Sequence, residues 1–437
     1  MSYISSVAHH IYYQQFSSIV ESGNDNGTPP LYSSYFALIW TVFGKQLWIS
    51  HLAFLPFILG LAYQFYRLSI QFVQKQAAVF ALLFLFFDPV FCTQSILMGY
   101  DIILIFLYLL AINSLVKKQS WILLLSIVLI PLLNLRGFTL VISIFLIDLY
   151  LQKSFRLKDI FKTSLWYLPS MIVFAAWLML HRSISGWFAV SSGNENIHGV
   201  QNILWILKNG AFELQAILDN GHAWIILIGS TLAILLWRLE QPKLEPSFFK
   251  ILILGLIGIL PFGLLFTPMA YPTGPRYFMN LYPFLLLALS LIISKTPKQW
   301  HRFSLGFLVM ALLFQSNFSV KQYPYSNAWD SSLKVIAYFD HQKVLLDYIL
   351  ENKIESSQIK ASFPLHKNFK MLYLNDYYDL KFSDFKKDKA QKGDLIMYSN
   401  IFNHLELGSH NPPNLKNKVR FHRNSGLSWI SLYELEE

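Results

Sequence analysis

Between residues 48 and 319 the chain is a succession of long apolar blocks parted by short polar turns and one longer loop, 182–221. No other feature limits the fold so sharply. The blocks show neither the alternation of a half-buried strand nor the single stripe of a surface helix. Lipid offers backbone N–H and C=O groups no partner, so such blocks must be helices if they cross a membrane. Composition agrees: 54% of the residues are hydrophobic, 16% aromatic and only 14% charged, against about 25% charged in an ordinary soluble domain. The chain reads as an all-α polytopic membrane protein.

The blocks predict spans at 48–66, 76–96, 100–116, 120–134, 138–152, 163–181, 222–239, 249–268, 279–295 and 302–319. Several fall short of the roughly 20 residues a full crossing wants. Lys and Arg crowd into alternate loops, with Lys117, Lys118, Lys153, Arg156, Lys158 and Lys162 among them. The opposite loops before residue 321 hold Lys45, Arg136, Arg182, Lys208 and Arg276. By the positive-inside rule the first set is cytoplasmic, which puts both termini on the outer, periplasmic face of an inner or plasma membrane. The formal charge of +10 is explained in the same way, without a nucleic-acid partner. Residues 321–437 turn polar. Short strand-like runs such as "GDLIMYS" and "SWISLYEL", with a helical "HQKVLLDYILENKI", predict an extramembrane α/β domain. The chain thus divides into an outer loop and juxtamembrane segment (1–47), a transmembrane domain (48–320) and the C-terminal domain (321–437).

Cys92 is the single cysteine, so no disulfide forms within the chain, and it reads as a small apolar filler. The first 30 residues lack the charged-then-apolar order of a signal peptide.

With this topology the unusual polar residues collect on the outer side, where ionisable groups at membrane depth suggest a cavity. Asp25 in "NDNG" is either a turn former or a cavity acid. Asp88 before Pro89 caps or kinks a span. Asp101 opens a span as an N-cap, a cavity acid or both. Arg136 in "NLRGF" and Arg276, with Tyr277 beside it, are cavity cations or interfacial anchors. Arg182, Glu195, His198 and Glu213 fall in the outer loop 182–221. His9, His10, His198 and His222 read as interfacial side chains, since no helical His pair supports a metal site. Asp148 is expected to pair with a neighbouring Lys or Arg.

Several segments resemble one family. "GTPPLYSSYFALIWTVFG" is similar to the Pro-Pro-Leu segment that follows the first outer loop of GT-C membrane glycosyltransferases, in the protein mannosyltransferase and aminoarabinose transferase-like branch. "SILMGYDIILIFLYLLAINSL" resembles that branch's span with an acid at its outer end. "NLRGFTLVISIFLIDLYL" resembles the next helix pair, and "GPRYFMNLYPFLLLAL" a late Arg-Tyr segment. The resemblance implies a polyprenyl-phosphate sugar donor, an acceptor hydroxyl on a lipid, glycan or protein, and inverting transfer on the outer face. It implies that Arg276, Tyr277 and Arg136 hold the donor phosphate, and that Asp101 and Asp25 are the available catalytic acids. No cofactor is expected; some distant branches use a divalent metal, but too few acids cluster here. The family also carries an acidic pair upstream of the Pro-Pro. Ser5-Ser6-Val7 stand near that place, so the reading expects either a start upstream of Met1 or a divergent member. The competing readings are a non-catalytic protein that binds envelope glycans or partners, and a lipid or solute transporter.

Overall fold

The computed structural model describes residues 2–20, 25–153, 155–189, 199–240, 246–269, 274–295, 306, 309–310, 329–361, 368–384, 391–401, 418–425 and 428–435. The helices run α1 (Ser2–Tyr13), α2 (Leu31–Phe43), α3 (Leu47–Ser69), α4 (Lys75–Phe87), α5 (Pro89–Ile96), α6 (Tyr100–Lys117), α7 (Ser120–Leu133), α8 (Gly137–Gln152), α9 (Leu157–Ser185), α10 (Ile203–Leu218), α11 (His222–Glu240), α12 (Pro246–Phe266) and α13 (Tyr282–Ser294). Every expected span from 48–66 to 279–295 therefore coincides with helix. The last, 302–319, lies outside the described residues apart from three positions.

Length separates these helices. Among the described residues, α3, α6, α9 and α12 are long and apolar enough to cross a membrane. The predicted span 76–96 is broken instead: α4 and α5 meet at 58° around Asp88. Asp88 caps α5, its Oδ1 accepting the Val90 and Phe91 amides at 2.9 and 3.2 Å, and Pro89 sits at the first helical position, where its missing N–H costs nothing. The apolar segment 31–43 is a helix packed on its neighbours, with Trp40 Nε1 donating to Ser50 Oγ at 2.8 Å and Tyr35 to the Ala53 carbonyl at 2.7 Å.

The central helix is α6, from Ile102 to Ser114 buried almost without interruption. It contacts α3, α7 and α8. The outer helices keep uncovered apolar faces. Leu52, Leu55, Leu59 and Tyr63 of α3 are exposed at helical spacing, as are Leu165, Leu168, Ile172 and Met179 of α9. Hydrocarbon is the solvent such faces fit. The carbonyl of Gly258 in α12 accepts the Ser143 hydroxyl from α8 at 2.7 Å and the Asn280 amide at 2.6 Å, which fixes the approach to α13.

The C-terminal domain contains α14 (Lys334–Glu351) and α15 (Phe369–Tyr373) with strands β1 (Ile359–Ala361), β2 (Ser383–Asp384), β3 (Leu395–Ser399), β4 (Lys418–Asn424) and β5 (Trp429–Glu434). The sheet order is β2-β1-β3-β5-β4. β1 pairs in parallel with β2 and β3, and β5 is antiparallel to β3 and β4. β3 and β5 are buried, and α14 packs on β5 through an apolar core. That core also takes in Leu97, from the turn between α5 and α6. The domain docks by further contacts: Gln94 Nε2 donates to the Asp330 carbonyl at 2.5 Å, and the Ser5 hydroxyl to the Met371 carbonyl.

Candidate active site

The site is built where α6 begins. The chain leaves α5, takes a left-handed step at Met98 (φ 48°) and turns at Gly99. Tyr32 of α2 donates to the Met98 carbonyl at 2.5 Å and holds the turn. Gly99 is needed for space: a Cβ there would stand 1.9 Å from Gln94 Oε1. Asp101 follows inside the first turn of α6. Gly99, not Asp101, holds the N-cap position, so the cavity reading of Asp101 is the one its geometry supports.

Arg136 reaches Asp101 from the start of α8. Its backbone is fixed on both sides, by Asn134 Oδ1 accepting its N–H at 2.9 Å and Thr139 Oγ1 donating to its carbonyl at 2.8 Å. Its Nη2 donates to Asp101 Oδ1 at 2.9 Å and to the Tyr100 hydroxyl at 2.8 Å. The guanidinium lies over the Tyr277 ring, 4.0 Å from its centroid. A planar guanidinium that stacks on one ring while its Nη2 donates to two partners is a use of Arg that Lys cannot copy.

Arg276 enters from the short 3₁₀ turn Pro275–Phe278. Tyr282 at the head of α13 holds that turn by donating to the Pro275 carbonyl at 2.9 Å. Arg276 Nη1 pairs with Asp330 Oδ2 at 3.0 Å, and its Nε stands 3.9 Å from Asp101 Oδ2. Its guanidinium also lies 5.2 Å from the Tyr277 ring, so that ring serves both arginines. Asp101 is 5% exposed, Arg136 and Asp330 12% each, and Arg276 24%. Two cations and two carboxylates thus share one largely desolvated site, which needs close pairing to be tolerated. Among the described residues, buried Asp101 Oδ2 and Arg276 Nε find no hydrogen-bond partner, an acceptor and a donor side by side.

Of the residues singled out by sequence, Asp101, Arg136, Arg276 and Tyr277 converge. Asp25 is not drawn in. Its Oδ2 accepts from Ser185 at 2.5 Å and faces His181 Nε2 at 2.7 Å, and its Oδ1 accepts the Gly27 amide at 2.9 Å. Trp177 Nε1 adds a bond to the Gly27 carbonyl at 3.1 Å. The loop after residue 24 is locked in this way to the end of α9. Asp88 forms a second such pair, its Oδ2 2.7 Å from His222 Nε2, with the His222 ring stacked 3.7 Å from Tyr282. His222 is therefore fully buried and not interfacial. Glu213 lies on α10, where a loop was expected, and accepts from Thr267 at 2.6 Å. Arg182 covers the Phe188 ring. Asp148 takes hydrogen bonds from Gln152 and Tyr167, and among the described residues no cation pairs with it. Glu195 and His198 lie outside the described residues.

Sequence reasoning missed Tyr100, Gln94 and Asp330. Asp330 had no local signal, because it meets Arg276 only through docking of the C-terminal domain. Among the described residues, no three His, Cys, Asp or Glu side chains group as they would around a metal ion.

A helical membrane bundle carries at one end a paired-arginine cluster, closed over by a mixed-sheet domain. That is the layout of a polytopic helical membrane protein with an extramembrane mixed-sheet domain. Among solved structures the chain is similar to ArnT from Cupriavidus metallidurans bound to undecaprenyl phosphate, with a TM-score of 0.54 and 12% identity over 99% of this chain and 93% of that one. It is similar also to the apo state of the same protein, with a TM-score of 0.52 and 12% identity over 99% and 92%. At that identity the likeness shows a shared fold. No protein-family model and no curated protein matches the chain.

Proposed function

We propose that this protein is a membrane glycosyltransferase that moves a sugar from a polyprenyl-phosphate donor to an acceptor hydroxyl on the outer face of the membrane. The observation that carries the reading is the convergence of Asp101, Arg136, Arg276 and Tyr277 at one end of the bundle. The ArnT fold, which has been seen holding undecaprenyl phosphate, supports it.

In this reading Arg276 and Arg136 stabilise the negative charge that grows on the leaving phosphate. A guanidinium suits that task because its N–H groups match phosphate oxygens in one plane. Tyr277 holds the two cations apart and in place. Asp101 is the catalytic carboxylate. Its Oδ1 is tied to Arg136, which orients the group, while Oδ2 is free to accept the acceptor's proton as the hydroxyl attacks the anomeric carbon. One displacement inverts that carbon. Asp25 acts on the acceptor side only through the loop it locks. The paired arginines and carboxylates lie at the heads of α6 and α8, at one end of the bundle, which favours transfer over transport, since transporters place their sites near the midplane.

The test is a comparison of two lipids. Protein in nanodiscs is titrated with polyprenyl phosphate and with the uncharged polyprenol. The reading expects the phosphate to bind more tightly by at least about tenfold, and Arg276→Gln to abolish most of that difference. Equal binding of both lipids by the wild-type chain would remove the phosphate role.

A further inference from the structure

We propose that Asp330 is the group the donor phosphate displaces: its carboxylate holds Arg276 while the site is empty and gives way when phosphate arrives. The inference rests on the reading of Arg276 as a phosphate ligand and adds to it a residue from the C-terminal domain.

Charge requires an exchange of this kind. Arg136 and Arg276 already face Asp101 and Asp330, so among the described residues the cluster's two positive and two negative charges cancel. A phosphodiester added to it would leave a net negative charge in a largely desolvated place, and uncompensated buried charge is costly. Replacing one carboxylate by one phosphodiester keeps the balance. Without Asp330, Arg276 would share with Arg136 the single carboxylate of Asp101, 3.9 Å from its Nε, and that under-compensated cation would be costly for the same reason, which gives Asp330 its task between turnovers.

Geometry decides which carboxylate leaves. Asp101 belongs to the central helix, is tied to Arg136 at 2.9 Å, and stands 3.9 Å from Arg276 Nε. Asp330 makes the shorter contact, 3.0 Å to Arg276 Nη1, so it occupies the end of the fork that a phosphate oxygen would use. It sits on the three-residue turn Trp329–Ser331. Its other oxygen, Oδ1, accepts from the Ser331 hydroxyl at 3.2 Å, so the carboxylate keeps a partner when it turns from Arg276. The Gln94 bond is to the Asp330 backbone and survives that rotation. The domain can therefore stay docked while the side chain yields. Because an occupied fork lowers apparent affinity by the fraction of molecules that are free to bind, Asp330 also sets how tightly phosphate is held.

The experiment compares the wild-type chain, Asp330→Asn, Asp330→Glu and Arg276→Gln in nanodiscs, titrated with methyl undecaprenyl phosphate, a phosphodiester with a single negative charge. Asp330→Asn removes the competing charge and keeps the shape; it is expected to bind about tenfold more tightly than wild type. Asp330→Glu keeps the charge and is expected to stay within about twofold. Arg276→Gln is expected to bind at least about tenfold more weakly. If Asp330→Asn binds no more tightly while Arg276→Gln loses affinity, the exchange is overturned and the phosphate role of Arg276 stands. Binding by Asp330→Glu as tight as that expected of Asp330→Asn would also overturn it, since loosened docking would then explain the gain. If Arg276→Gln binds as well as wild type, the phosphate role itself falls and takes the exchange with it.

Discussion

Arg136 Nη2 stands 2.9 Å from Asp101 Oδ1, a contact between the head of α8 and the first turn of α6. The same nitrogen donates to Tyr100, and the guanidinium covers Tyr277. A lysine could keep the charge but could not lay a planar cation on Tyr277 while donating to both Asp101 and Tyr100. Arg136→Lys is therefore expected to lower sugar transfer by about 10²–10³-fold. Arg136→Ala leaves Asp101 buried without its closest cation and should also destabilise the fold, by about 3–5 kcal/mol. Turnover assays and thermal unfolding in the same detergent separate the two effects.

Asp25 and Asp101 are expected to behave differently. Asp25→Asn weakens the bonds to His181 and Ser185 and loosens the loop, with a stability loss of about 1–3 kcal/mol. Transfer by the folded fraction should survive. Asp101→Asn should fold and fail to turn over. Equal losses of turnover in the two variants would place Asp25 in the chemistry after all.

The contrast between these two acids shows how far sequence could reach. The helices were legible because lipid-facing blocks need no partner to be recognised, and most of their ends fell within a few residues of the apolar boundaries, although α9 starts at Leu157, six residues before the expected 163. Asp88-Pro89 announced a cap, and the cap is there, but the 58° break it brings turns one expected span into two helices. α10 was hidden because its Lys208, Asn209, Gly210 and Glu213 look like loop residues; two of them, Asn209 and Glu213, form its buried side. Asp101, Arg136 and Arg276 were legible as misplaced charges. Their pairing was not, because it depends on how three helix ends meet. Asp330 was invisible for the same reason at longer range.

Gly99 offers a test of how the C-terminal domain is docked. Gly99→Ala would drive a methyl group into the Gln94 amide, which holds the Asp330 backbone. The expected cost is about 1–3 kcal/mol, with faster proteolysis within residues 329–435. A variant that unfolds and is cleaved like wild type would show that the Gln94 contact does not hold the domain.

The C-terminal domain should also respond to acid. Burial pushes His341 below the ordinary histidine value, and the Arg423 charge adds to the shift, against smaller opposing effects from the Ser428 backbone and Asp340. Between the lowered value and the ordinary one near about 6.5, the unfolded chain binds the proton and the folded domain does not. The contribution of His341 is thus intact above that ordinary value and is lost as pH falls through the window. Thermal unfolding followed from pH 8 to pH 5 should show a fall in stability at the acid end, and His341→Gln should flatten it. An unchanged slope in the variant would assign the effect elsewhere.

The most direct measurement of the central claim is donor consumption in one assay. Wild type, Asp101→Asn and Arg276→Gln are placed in nanodiscs with a panel of polyprenyl-phosphate sugars and a membrane-lipid extract as acceptor, and released polyprenyl phosphate is followed by mass spectrometry. The account predicts release from at least one donor by the wild-type chain, and at least about a hundredfold less by each variant. Release by both variants at the wild-type rate would contradict it, because the cluster at the heads of α6 and α8 would then have no part in the reaction.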